Sequence, residues 1–328
     1  PNPDENQPDT GPDPAQVRRP ARRALRQAQQ GEEITGRSQD PENGKLRHFE
    51  DYLDVPHSRA RGTSHLFQQT WLPDDEPRAA LLLIHGLGEH STRYEHVAKH
   101  CTQRGFTVYA LDHYGHGKSD GHPGHVQKFS VYLDGVNALL EKIRQEQSGK
   151  PIFLVGHSMG GLIATTYLLD NQATFAGCVL SGPALKSDAA PPAIVLAFNR
   201  LLSFLVPTAP VIQLDASAVS RDPEVVRTYM NDPLVFHGKY SSRLVSEMTM
   251  TMQRTLARVA DIRLPLMLMH GEEDALASSS GSREMFENAG SEDKTLKIYH
   301  GLYHEIFNEP EQDQVLTDMS DWLEAHLP

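Results

Sequence analysis

Across its 328 residues the chain has only two cysteines, Cys101 and Cys178. It also lacks any apolar run of the roughly 18 residues that a membrane span requires. So few cysteines exclude a disulfide-dense secreted scaffold. Cys101 falls in a helical pattern and Cys178 in a strand-like run, and both read as small buried hydrophobes. Basic charge is scarce as well: 31 Lys and Arg stand against 43 Asp and Glu, a formal net charge of −12. No domain-wide basic surface exists to meet phosphates, which excludes nucleic acid as the main partner. The opening "PNPDENQPDTGPDP" is polar and proline-rich, unlike a secretory signal, so cytoplasmic residence is expected. A membrane surface could still be met through apolar contact. What remains, 38% hydrophobic and 23% charged, is the composition of a soluble globular protein.

Residues 1–44 are rich in Pro, Asp, Gln, Asn and Arg and carry almost no aliphatic core. Such a segment cannot bury enough apolar surface to offset its ordering entropy, and a disordered tail is expected. Its basic stretch "VRRPARRALR" reads as a solvated arm. From residue 45 the texture changes. Two strands are expected around "LRHFEDYLDV" and "TSHLFQQTWLP". Short apolar runs then alternate with helical patterns: "AALLLIHG", "FTVYALD", "PIFLVGH", "FAGCVLSG", "PLMLMHG" and "KTLKIYHG". Continuous apolar strands suit a sheet covered on both faces. Between them, Thr92-x-x-Glu95 reads as a capping box with Gly105 as the helix stop. Val315, Leu316, Met319, Trp322 and Leu323 recur at helical spacing in the last segment. This alternation predicts an α/β domain over 45–328 with a mostly parallel, doubly wound sheet. No internal repeat breaks it.

One connection is too long for a simple crossover: about 80 residues separate the strand ending near Gly182 from the one starting near Pro265. A helical cap is expected there, at about 184–250, inserted between strands 6 and 7. It contains "PPAIVLAFNRLLSFLVP", whose polar positions Asn199, Arg200 and Ser203 form one narrow stripe. A helix so apolar is buried, covers a pocket, or meets lipid. Phe198 and Leu202 on it are expected to contact an apolar substrate.

Gly156-His157-Ser158-Met159-Gly160 fits G-x-S-x-G, with a strand before it and a helix after it. That context raises a serine hydroxyl out of a sheet edge on a tight turn and sets it against a helix N-terminus. A serine hydroxyl needs a base, and the base an orienting acid, in the order Ser, Asp or Glu, His. "LMLMHGEEDALA" supplies the acid: Asp274 is favoured by position, with Glu272 and Glu273 as rivals. "LKIYHGLYHEIFNEP" supplies the base, His304, with His300 as rival. An oxyanion hole would use the backbone N–H of Met159 and one from "IHGLGEHSTRY", where Leu87 lies between glycines.

Other signals fail. "HEIFN" starts like a zinc-binding helix but ends in Asn308, and "GKS" lacks the earlier glycine of a phosphate loop, having Asp112 there. His113, His116, His122 and His125 match no tight metal spacing, so no metal is expected. An aspartate-nucleophile dehalogenase or epoxide hydrolase is excluded by Ser158.

Together "HGLGEHSTRY", "LDHYGHGKSDG", "GHSMGG", "YMNDPL", "MLMHGEED" and "DKTLKIYHGLYHEIFNE" resemble the monoacylglycerol lipase (monoglyceride lipase) family of the α/β-hydrolase superfamily, over roughly residues 45–328. The resemblance implies a triad of Ser158, Asp274 and His304, choosing these over the rival acids and base, and oxyanion donors at Leu87 and Met159. It also implies that Glu89, Arg93, His157 and Tyr229 form the polar end of the site, receiving glycerol while the acyl chain runs under the cap. The implied reaction cleaves monoacylglycerols to fatty acid and glycerol through an acyl-enzyme, without cofactor. The alternatives are a lysophospholipase or other carboxylesterase on the same machinery, an aminopeptidase of similar fold, or a non-catalytic binding module. The acid loop "EEDALASSS" departs from the pattern by lacking the cysteine of animal members. No motif speaks to oligomeric state.

Overall fold

A computed structural model describes residues 47–58, 62–186 and 193–328, with side chains of the 193–205 helix described from residue 197. The tail expected at 1–44 lies outside the described residues. The strands are β1 (Arg47–Pro56), β2 (Thr63–Leu72), β3 (Ala79–Ile84), β4 (Phe106–Leu111), β5 (Ile152–His157), β6 (Gly177–Ser181), β7 (Pro210–Ile212), β8 (Tyr240–Ser241), β9 (Leu266–Gly271) and β10 (Lys294–Tyr299). The helices are α1 (Glu95–Gln103), α2 (Ser130–Glu146), α3 (Met159–Asn171), α4 (Ala193–Leu205), α5 (Pro223–Asn231), α6 (Ser242–Leu256), α7 (Ser279–Asn288) and α8 (Gln312–Ala325).

Eight strands form one sheet in the order β1-β2-β4-β3-β5-β6-β9-β10. The β1–β2 and β2–β4 pairs are antiparallel and every later pair is parallel. Strand residues alternate between two apolar layers, as a period of two requires. Leu82, Leu154 and Leu268 face one layer, where they meet Val136, Leu139, Leu162 and Met285 of α2, α3 and α7. Leu81, Phe153 and Met267 face the other, against Val97 and Cys101 of α1 and Val315, Met319 and Trp322 of α8. Each fully buried Leu or Phe of these layers contributes about 1.5–3 kcal/mol. Both cysteines are free and buried, and burial pushes the Cys101 thiol up to about 12 and that of Cys178 higher still.

The expected capping box does not form. A 3-10 turn over Ser91–Tyr94 leads into α1, and Tyr94 at the N-cap makes no side-chain cap. Thr92 instead accepts a hydrogen bond from Gln69 Nε2 at 3.1 Å. At the other end Gly105 takes the left-handed φ of 85° that stops the helix.

Between β6 and β9 lie α4, the β7–β8 ribbon, α5 and α6. Helix α6 packs on α3 and buries Leu244, so it belongs to the body of the domain, and the cap boundary expected near 250 falls inside it. Helix α4 lies against α6. Two of its polar residues turn inward: Ser203 is buried and Asn199 Nδ2 reaches the Ser242 carbonyl at 3.4 Å, while Arg200 is exposed. Of its described apolar residues, Phe198 is 64% and Phe204 77% exposed. Phe198 therefore does not face inward, contrary to the expectation that it contacts substrate. Among the described residues no helix is long and apolar enough to cross a membrane.

Two glycines bring β5 and α3 together. A Cβ on Gly156 would lie 2.6 Å from the Gly160 carbonyl oxygen, and one on Gly160 would lie 2.6 Å from that of His85. We expect Gly160→Ala to cost on the order of 1–3 kcal/mol through overpacking. The urea midpoint and the ester-hydrolysis rate should fall together; an unchanged midpoint would contradict this account of the β3–α3 contact.

Candidate active site

Ser158 follows β5 directly, with φ 53° and ψ −119°, the one non-glycine residue of positive φ among the described residues. The strain is held by its neighbours. Ser158 N–H donates to Ser181 O at 3.0 Å, and its carbonyl accepts from Leu162 N at 3.2 Å and Ala184 N at 2.9 Å. Such a conformation persists only where the surroundings over-determine it, and it is a pointer to function.

Leu87, Ser158, Asp274 and His304 all follow the carboxyl ends of parallel strands β3, β5, β9 and β10, where open α/β sheets place their sites. His304 Nδ1 donates to Asp274 Oδ2 at 2.6 Å, both side chains buried. Asp274 Oδ1 accepts from the amides of Leu276 at 2.8 Å and Ala277 at 2.9 Å. Burial opposes charge on Asp274. The His304 imidazole, His270 and the Ala277 amide outweigh it and hold the carboxyl well below the usual carboxylate range. Burial likewise opposes a charged His304, and Asp274 more than compensates, holding the imidazole above its ordinary value. The rivals lie elsewhere: His300 is an exposed surface residue paired with Glu272, and Glu273 is exposed.

Ser158 and His304 line one cavity of about 100 Å³, with Leu87 at its edge. Among the described residues the Ser158 hydroxyl has no hydrogen-bond partner. In free enzymes catalytic hydrogen bonds commonly tighten only when substrate arrives. The amides of Leu87 and Met159 likewise have no acceptor among the described residues, and Met159 is the first residue of α3. The same cavity is lined by the apolar Leu214, Val219, Met248, Met252 and Leu276 and by the polar Glu89, His157, Tyr229 and Glu305. His157 stays neutral: burial, then the nearby His304, push it down to about 4. Arg93 does not line the cavity. It pairs with Glu89 at 2.6 Å and with both oxygens of Glu305 at 2.7 and 2.6 Å. Leu202 and Phe198 do not line it either.

Sequence reasoning missed His270 and Glu305. His270 is fully buried, with Nε2 3.1 Å from both Asp274 Oδ2 and Ala277 O. Its Nδ1 lies 2.7 Å from Ser282 Oγ. Only its place four residues before the acid hinted at this. The expected metal-free reading of the loop histidines meets a different arrangement: His113 and His116 pack with His85, ring centroids 4.3–6.1 Å apart. Among the described residues no cluster of three or more His, Cys, Asp or Glu is disposed to hold a metal.

The proton acceptor must be neutral, so kcat/KM should fall as pH drops through a value above the ordinary imidazole pKa of about 6.5. Asp274→Asn removes the group that raises His304. A pH–rate profile on 4-nitrophenyl butyrate should then show the acid limb moved to lower pH and kcat reduced by roughly 10⁴. A limb unmoved in that variant would remove Asp274 from the pair.

Residues 75–311 match the family described as serine aminopeptidase, S33. The chain is 40% identical to a monoacylglycerol lipase of Mycolicibacterium smegmatis over 266 residues, 81% of this chain and 95% of that protein. It is 33% identical to human monoglyceride lipase over 276 residues, 83% of this chain and 91% of that protein. The solved structure of a Paleococcus ferrophilus monoacylglycerol lipase superposes with a TM-score of 0.72 at 32% identity, covering 80% of this chain and 99% of that one. With a parallel sheet, a serine elbow and this likeness along most of its length, the chain belongs to the monoglyceride lipase family of α/β-hydrolases.

Proposed function

We propose that this hydrolase cleaves monoacylglycerols to fatty acid and glycerol, with Ser158 as nucleophile, His304 as base and Asp274 as the acid that orients it. The carrying observation is the buried 2.6 Å His304–Asp274 bond at the cavity that holds the strained Ser158. His304 takes the hydroxyl proton as Ser158 Oγ attacks the ester carbonyl. The oxyanion is met by the Leu87 and Met159 amides, a contribution of the kind worth about 10²–10³ in rate per donor. The imidazolium gives its proton to the departing glycerol oxygen, and water then resolves the acyl-enzyme by the same route in reverse.

Substrate class follows from the mixed lining. Its aliphatic and methionine residues suit an acyl chain, and its polar residues suit an alcohol. Glu89 and Glu305 outnumber Arg93, so the polar lining carries an excess negative charge. It fits a neutral polyol and opposes an anionic phosphate, which favours monoacylglycerol over a lysophospholipid.

A cavity of about 100 Å³ cannot hold a long acyl chain, since substrate sites span roughly 300–1,000 Å³. We place the missing apolar volume at the cap. Phe198, Leu201, Phe204, Leu205 and Val206 are all exposed there. Exposed large apolar side chains on one short stretch suit contact with a lipid interface.

Two experiments test the reading. Ser158→Ala should abolish hydrolysis of monoacylglycerols in a panel that includes lysophospholipids and di- and triacylglycerols, leaving the thermal midpoint near its original value; retained turnover refutes the nucleophile. Phe204→Ser combined with Leu205→Ser should reduce co-flotation with phosphatidylcholine vesicles at least several-fold, with hydrolysis of soluble 4-nitrophenyl butyrate unchanged. Equal flotation of both proteins would dismiss the cap as a lipid contact.

A further inference from the structure

Arg93 meets three chain segments at once. Its guanidinium pairs with Glu89 on the loop after β3, grips both oxygens of Glu305 on the loop after β10, and lies 4.7 Å over the ring of Tyr229 on α5 of the cap. Glu89 carries the connection onward. Its Oε1 accepts the Gly86 amide at 2.6 Å and the Tyr94 hydroxyl at 2.7 Å, which fixes the backbone immediately before Leu87. Glu305 is the residue after His304, and its second oxygen also accepts from Asn308 Nδ2 at 2.9 Å. The cap holds the same two loops through its backbone: Phe236 N donates to Gly88 O at 2.8 Å, and Glu305 N donates to Val219 O at 2.8 Å. His90 and Asp232 add a 2.9 Å pair.

We propose that Arg93 is a positioning residue that locks the oxyanion loop, the base loop and the inner cap into one unit, so that the Leu87 amide and the His304 ring are set together. The guanidinium suits this role because its planar fork serves two carboxylates in fixed directions and presents a flat face to an aromatic ring. Its side chain is 12% exposed, and those of Glu89 and Glu305 are 4% and 5% exposed. With both terminal nitrogens committed to glutamates and one face covered by Tyr229, Arg93 has little left for a substrate. Burial opposes its charge, and the two glutamates overcome that and keep it charged. The inner cap, residues 219–236, thereby acts as part of the catalytic frame, distinct from the apolar outer helix α4.

This inference rests on the triad assignment, and the experiment separates the two. The soluble ester 4-nitrophenyl butyrate carries no glycerol, so a headgroup-binding role for Arg93 would leave its hydrolysis untouched. Arg93→Lys keeps the charge and removes the fork. The expected result is a kcat on this ester lower by roughly 10–10²-fold, in line with the cost of small misplacements of catalytic groups, and a KM within about twofold. Glu305→Gln should behave alike, and the double variant should be no worse than the poorer single one, because one linkage is broken in each. Tyr229→Leu should lose about tenfold more kcat than Tyr229→Phe, which keeps the ring under the guanidinium. If Arg93→Lys does not fold, the Glu305 and Tyr229 variants carry the test. A KM rise confined to monoacylglycerol, additive losses, or an unaltered kcat would each overturn the proposal. Activity surviving in Ser158→Ala would instead remove the triad on which it is built.

Discussion

Between Gly156 and Gly160 the backbone reverses from strand to helix with Ser158 in a region that side-chain-bearing residues avoid, a cost of order 1–3 kcal/mol. The structure sustains this because both flanking glycines sit against carbonyl oxygens where no Cβ fits, and because the serine's own amide and carbonyl are bonded to β6, α3 and the chain beyond β6. Everything else in the site is arranged around that fixed point. Loops leaving β3, β9 and β10 converge on it because their strands run parallel to β5 and end at the same edge. The sheet's two apolar layers supply the free energy that keeps so strained a turn in place.

Around the serine, charge is handled by mutual satisfaction. Asp274 spends one oxygen on backbone amides and the other on His304 and His270, leaving its carboxylate ionised and its geometry fixed. Glu89, Arg93 and Glu305 form a second buried set beside it. A buried ion pair contributes little net stability in general, and breaking one is expensive. Their placement between the loops after β3 and β10 fits a geometric role better than a stabilising one.

Much of this was legible in the residues. Strands such as "AALLLIHG" and "PIFLVGH" are apolar throughout because both faces are covered, and that pattern survives without any tertiary knowledge. Ser158 announced itself through the glycines its turn requires. Positions after strands favoured Asp274 and His304 and left Glu272, Glu273 and His300 as rivals, among which the family resemblance chose. His270 and Glu305 did not, since what matters is a contact between segments far apart in the chain: Glu305 meets Arg93 across 212 residues. Thr92 and Glu95 carry the letters of a capping box, but Gln69 claims the threonine and the chain enters α1 through a 3-10 turn instead. Helix α4 misled in another way. Its hydrophobic face reads as inward by ordinary rules, yet the body offers it the Ser242 carbonyl, and Asn199 and Ser203 turn there.

The two thiols, sealed within the apolar layers on opposite faces of the sheet, have a practical consequence for anyone who wants to watch this enzyme at work. Neither offers a thiolate near neutral pH, so alkylating dyes and spin labels should pass over the native chain. A cysteine introduced on the outer cap would then be the sole reactive handle, with no wild-type residue replaced beforehand.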